Sequence, residues 1–394
     1  SIHDRLNINV FYFKNNQTEA LMISTEVCSI NTEFSERMRR EIEKNTEVPY
    51  KNIILHAIHN HTGPNTDGNT GWGPLDIPYC ENVLLPAAIK AANEAKANAT
   101  EAFVGLNMGK SSVGINRREQ NEFNDILLGQ CEWGCYDPRM AVFSFRDKNK
   151  KILATMIYYA CHGTCAGLNT AISRDWAGVM LDCVDRETNT ITAFFNGAEG
   201  DVGPRLSNGC TTGDMRYVRE LGGIAALDAI NAYRAIKEFR PMELKVSKDK
   251  VSLPYKKPLS YEDAKYPEKP PHNCERMQYV MMEEILEHYN SGKEFPTHKE
   301  FDQTVFAIGD IVFVPFPFEF FSEISLRLRD YSKYQYTLGI GCANGVNAYL
   351  PSQSELCRGG YEVFMFLYNG VTTLADDSDI NIINENLRIM ENLK

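Results

Sequence analysis

Ile53-Ile54-Leu55-His56-Ala57-Ile58-His59-Asn60-His61-Thr62-Gly63-Pro64 is the stretch on which the reading of this chain turns. Residues 53–56 form a short, mostly apolar run of strand type, and polar side chains crowd in directly behind it. Proteins of the α/β class place ligand sites at the carboxyl ends of such strands. Strand side chains alternate with period two, so His59 and His61 are expected on one side if the extended geometry persists. Two imidazoles on one face can bind a metal together, or one can bind it while the other hydrogen-bonds a substrate. Three of the chain's eight histidines fall within these few residues, a denser cluster than solvated loop histidines usually make.

Working outward, residues 7–13 and 20–25 read as strands joined by the polar turn Lys14-Asn15-Asn16-Gln17. A charged helix is expected over 32–44 and an Ala-rich one over 82–99, with further strands at 102–107, 141–146, 152–160 and 192–196. Val218, Leu221, Ala225, Ala229, Ala232 and Ile236 share one helical face of mostly small side chains, which predicts close packing on a sheet. Residues 304–314 read as a hairpin turning at Gly309-Asp310. Pro254, Pro258, Pro267, Pro270 and Pro271 mark 254–271 as a surface excursion. Strands interleaved with helices indicate the α/β class: mixed β-sheets flanked by helices, an αββα-like layered sandwich. The irregular connections argue against a pure doubly wound sheet.

The chain of 394 residues has the balance of a soluble globular protein, 43% hydrophobic and 24% charged. Its 41 basic and 52 acidic residues give a net charge of -11, which argues against broad nucleic-acid binding or attraction to anionic membranes. No apolar run is long enough for a membrane span, and no secretory leader pattern opens the chain. The 11 cysteines are odd in number and scattered, unlike a disulfide framework. Cys131/Cys135 and Cys161/Cys165 are spaced closely enough for a metal, although buried reduced thiols are the better reading. The sequon Asn60-His61-Thr62 lies within the candidate site, where a glycan would block access. Together these features make the cytoplasm the expected location. Self-association is not legible here.

Four more segments carry chemistry. Tyr159 to Cys165 places His162 at the end of an apolar strand, before a glycine. Residues 194–205 run from a strand into a Gly-rich turn, where Glu199 and Asp201 either orient a site residue or cap the turn. Glu319 is a single carboxylate in the aromatic run 314–321, costly to bury unless paired or bound to metal; the phenylalanines read as core. Tyr349 and, beyond it, Tyr361 complete the set. The loop 65–74, with Asp67 and Trp72, reads as an ordinary surface loop ahead of a mobile lid.

Taken in order, His59 to Pro64, Asn116-Arg117, His162, Asp175-Trp176-Ala177-Gly178, Gly200 to Pro204, Glu319 and Tyr349 to Ser352 resemble the neutral, non-lysosomal ceramidase family over nearly the whole chain. The resemblance implies a single catalytic domain spanning 1–394, with zinc held by His59, His162, Glu319 and Tyr349. It also implies that His61, Arg117 and Tyr361 contact substrate and the developing oxyanion. Its choice of His59 over His61 as ligand comes from the family, since spacing does not decide it. The implied reaction is hydrolysis of an amide in an N-acylated small molecule or lipid. The family carries a Ser where this chain has Gly203, so a zinc-activated water becomes the expected nucleophile. With only 33 residues after Tyr361, the immunoglobulin-like domain of longer members is expected to be missing. A small soluble amide or ester remains a competing substrate. A metal-binding protein without turnover is the competing class, and a closed structural metal site is a third reading.

Overall fold

The computed structural model describes residues 1–15, 17–68, 73–167, 169–268 and 275–393. Trp72, Asn16, Pro270 and Pro271 lie outside the described residues. Three sheets form the frame. Strands Ile8–Lys14, Glu19–Thr25 and Ile53–Ala57 make the first; Phe103–Lys110, Arg139–Arg146, Ile152–Tyr159 and Thr192–Asn196 the second; Leu244–Pro254, His298–Ile308, Ile311–Pro315 and Tyr336–Ile340 the third. Each has one parallel pair, beside one antiparallel pair in the first sheet and two in each of the others. The first and third sheets join edge to edge through a bridge between His56 and Ala343, where Asn344 N–H donates to Leu55 C=O at 2.7 Å.

Alternation along these strands sends apolar side chains to both faces. Met22, Ile54, Phe143, Phe145, Phe195, Phe306 and Phe313 meet in one inner core shared by all three sheets. Outside it, helices Thr32–Thr46 and Leu85–Ala97 cover the first sheet, Asp175–Thr188 and Met215–Arg234 the second, Ser322–Tyr331 and Ser378–Glu391 the third. The result is the expected layering of helix, sheet, sheet, helix.

The small-residue face of Met215–Arg234 does permit close packing: a Cβ on Gly109 of the second sheet would meet Ala232 Cβ at 2.9 Å. The hairpin turn at Gly309-Asp310 forms as read, with Ile308 opposite Ile311 and Gly309 at φ +63°. The proline-rich excursion needs amendment. Pro254 closes an eleven-residue strand, and Ala264 packs with Met281, Met282 and Ile285 of the helix Glu275–Ser291 in a small satellite core. No described helix is long and apolar enough to cross a membrane.

Two glycines separate a positional requirement from a mere vacancy. Gly200 N–H donates to Phe320 C=O at 3.1 Å, and a Cβ there would meet Glu319 C=O at 2.5 Å. Gly223, within Met215–Arg234, has nothing within 4 Å of the same point. Gly200→Ala is therefore expected to lower unfolding free energy by at least about 2 kcal/mol in denaturant melts. Gly223→Ala should raise it by about 1 kcal/mol through helix propensity.

Candidate metal centre and active site

The site lies where the carboxyl ends of Ile53–Ala57, Ile152–Tyr159 and Thr192–Asn196 run out beside the short parallel pair Glu319–Phe320 and Tyr349–Leu350. His59 does not continue the strand. It sits in the left-handed region at φ +64°, so simple alternation fails at this position. Even so, the His59 and His61 rings meet edge to face with centroids 4.8 Å apart. His56, the third histidine of the cluster, turns into the core, where its Nε2 accepts from Asn196 N–H at 3.1 Å. Asn60 is buried and donates to Glu26 C=O and Ser173 C=O, which leaves its sequon closed to a glycan in the folded chain.

His162 Nδ1 lies 2.7 Å from Glu199 C=O and 3.1 Å from Val202 C=O. Carbonyls only accept, so Nδ1 carries the proton and Nε2 presents a lone pair. His59 Nδ1 likewise faces Cys28 C=O at 3.0 Å. Both Nε2 atoms then point at one carboxylate oxygen: Glu319 Oε2 is 3.2 Å from His59 Nε2 and 3.1 Å from His162 Nε2. Three acceptors converge with no donor between them. A cation resolves that conflict, and the His/His/Glu donor set suits a divalent metal. Ligands about 2.0–2.1 Å from a tetrahedral ion lie roughly 3.3 Å apart, close to the spacing here. Tyr349 Oη is 3.5 Å from His162 Nε2 and accepts from Arg117 Nη2 at 2.9 Å. His61 Nε2 is 3.2 Å from His59 Nε2.

The electrostatics follow from burial and this convergence. Burial, with Arg117 and His59 nearby, drives His162 down to about 3. Burial and the neighbouring imidazoles hold His61 well below its ordinary value. Burial also lowers His59, but the Glu319 carboxylate and the Cys28 and Cys342 thiols outweigh it and raise His59 well above. Burial would raise Glu319, yet His59 and His162 hold it well below the carboxylate range. Burial pushes the Tyr349 phenol well up, Tyr361 to about 12 and Glu199 to about 8.

A cavity of about 370 Å³ opens onto this cluster. His59, His61, Glu319, Tyr349 and Tyr361 line its floor, Met277, Val280, Met281 and Met365 one wall, and Asp67 and Glu284 also face it. Of the residues assigned to metal or substrate by the resemblance, His59, His61, Glu319, Tyr349 and Tyr361 face this cavity, with His162 against Glu319 and Arg117 just behind Tyr349. The wall from Glu275–Ser291 was missed; its methionines at i and i+4 were the available signal. Cys28 and Cys342 were missed too, with Sγ atoms 3.8 and 3.5 Å from His59 Nδ1. Of the cysteine pairs singled out, Cys161 and Cys165 are buried as expected, but Cys135 is exposed, and neither pair joins a metal-binding grouping among the described residues. The ten described cysteines are all free. Asp201 ties the turn to its neighbours, accepting from Ser322 N–H and Oγ at 2.8 Å each.

Fold and site define a layered α/β frame with a buried His/His/Glu grouping able to hold a metal at the end of its strands. That fold is ceramidase-like. The neutral ceramidase from Pseudomonas aeruginosa superposes with a TM-score of 0.73 at 16% identity, over 100% of this chain and 70% of that one. A ceramidase complexed with C2 gives 0.71 at 15%, over 100% and 71%. No protein-family model matches the chain.

Gly203 has a structural counterpart. A Cβ at that position would meet Thr211 Cγ2 at 2.7 Å and Thr211 Cβ at 2.8 Å. Gly203→Ser is expected to cost about 1–3 kcal/mol in chemical denaturation. A cycle with Thr211→Gly should give a favourable coupling of more than about 1 kcal/mol; additive effects would show that Thr211 is not the obstacle.

Proposed function

We propose that this chain is a zinc-dependent amidohydrolase of the neutral ceramidase type, cleaving the amide of an N-acylated substrate. The observation that carries the reading is the convergence of His59 Nε2 and His162 Nε2 on Glu319 Oε2, at 3.2 and 3.1 Å, on the floor of a cavity. His59, His162, Glu319 and Tyr349 would hold the metal, within one catalytic domain. Zinc, when bound, supplies Lewis acidity at the scissile carbonyl and makes water a competent nucleophile at neutral pH.

The chain's own residues supply the rest. His61, kept neutral by burial, is a base at rest. It accepts a proton from the attacking water and passes it to the departing amine. Arg117 presents a fixed cation beside Tyr349, where it would stabilise negative charge developing next to that phenol. Tyr361 keeps its proton, with its phenol pushed up to about 12, and can donate it in a hydrogen bond. Gly203 offers no hydroxyl, so the nucleophile is water in place of a serine.

The methionine wall supports an apolar acyl group. The volume, about 370 Å³, lies toward the low end of the roughly 300–1,000 Å³ usual for ligand sites and favours, as a second reading, a small soluble amide or ester.

Chelator-treated protein is expected to lose all hydrolysis across a panel running from short N-acyl amides to ceramide, and to regain it with one equivalent of zinc. Zinc at a hundredfold above its Kd should raise unfolding free energy by about 2.7 kcal/mol. The His162→Ala, Glu319→Ala double variant should show neither effect; unchanged zinc uptake in that variant sinks the proposed site.

A further inference from the structure

Neighbouring residues of a regular strand point to opposite faces of the sheet. Arg117 and Arg118 do not. The strand Gly114–Gln120 shifts register against Ile126–Cys131 between Asn116 and Arg118, and the irregularity re-aims the side chains there. Both guanidinium groups reach one carboxylate: Glu362 Oε1 accepts from Arg117 Nε at 2.7 Å, and Oε2 accepts from Arg118 Nη1 at 2.7 Å. All three side chains are buried. Arg118 also donates to Glu355 Oε2 at 2.8 Å and to Gly359 C=O at 2.6 Å, which pins the loop before the helix Tyr361–Leu367 to the strand.

The consequence falls on Arg117. Its Nε edge is taken by Glu362, which leaves Nη2 to donate to Tyr349 Oη at 2.9 Å. A guanidinium is a rigid planar fork, so fixing one edge fixes the direction of the other. Tyr361 precedes Glu362 at the start of the same helix, and its ring packs edge to face on Tyr349 with centroids 5.8 Å apart. One carboxylate therefore anchors both Arg117 and the backbone that presents Tyr361.

We infer that Glu362 is a positioning residue of this site, acting through Arg117 to aim its cation at Tyr349 and the developing oxyanion. The inference rests on the amidohydrolase reading for its catalytic meaning, but its geometric content stands apart from turnover. Glu362→Gln keeps the size and one acceptor, and replaces the other with a donor that faces a guanidinium. Arg117 is then free to turn away.

The test is a double-mutant cycle on hydrolysis of an N-acyl amide, with zinc content and crystal structures of each variant. Glu362→Gln is expected to keep its zinc, to lose about a hundredfold in kcat with KM within about threefold, and to show Arg117 Nη2 withdrawn from Tyr349. Made on Arg117→Ala, it should cost less than about twofold more. Should Glu362→Gln fail to fold, Glu362→Gln with Arg118→Gln removes one buried charge of each sign and should show the same kcat loss. Multiplicative losses in the cycle, or Arg117 still donating to Tyr349 in the variant structure, overturn the positioning role. If the parent binds zinc and hydrolyses nothing, the amidohydrolase reading fails, and the Arg117–Tyr349 geometry still decides whether Glu362 positions that pair.

Discussion

Everything around the site depends on a single oxygen. Glu319 Oε2 faces two imidazole nitrogens whose ring partners, the carbonyls of Cys28, Glu199 and Val202, have already claimed the Nδ1 protons. A buried carboxylate opposed by lone pairs is untenable unless a positive charge enters the cluster. The raised pKa of His59 and the lowered one of Glu319 express the same demand for positive charge. A divalent cation meets the same need with better geometry, since it satisfies all three atoms at once.

The frame holds this conflict in place with backbone more than with side chains. His59 sits at φ +64° and Asp175 at φ +55°, both outside the regions most residues prefer. Asp175 repays its strain by accepting from Cys165, Ala166 and Trp176 N–H, while Trp176 Nε1 donates to His162 C=O at 2.9 Å. Gly200 lets the turn after Thr192–Asn196 press against Glu319 C=O. Strain gathered at one point and compensated by the elements around it is the pattern of a functional site.

Much of this is legible in the sequence. Apolar runs closing in histidines mark strand ends, and a carboxylate among phenylalanines had to be paired or ligated. What stayed hidden depends on distance along the chain or on local departures from regularity. Glu362 reaches Arg117 across 245 residues, and Cys342 reaches His59 across 283. Neither pairing leaves a periodic trace. His59 and His61 were placed on one side by strand alternation; they do meet, but through a left-handed turn that no alternation predicts. Arg117 entered through resemblance alone, because two adjacent arginines in a strand ordinarily diverge and only a bulge brings both inward.

His59 also offers a second face. Its Nδ1 side looks toward Cys28 and Cys342, and His59, Glu199 and Cys342 form a grouping of their own. X-ray absorption at the zinc edge of the zinc-loaded protein separates the two faces directly. The proposed centre predicts only nitrogen and oxygen neighbours at about 2.0–2.2 Å, with the outer-shell scattering of two imidazoles. A sulfur neighbour at about 2.3 Å would place the metal on the cysteine side of His59 and contradict the centre built on Glu319.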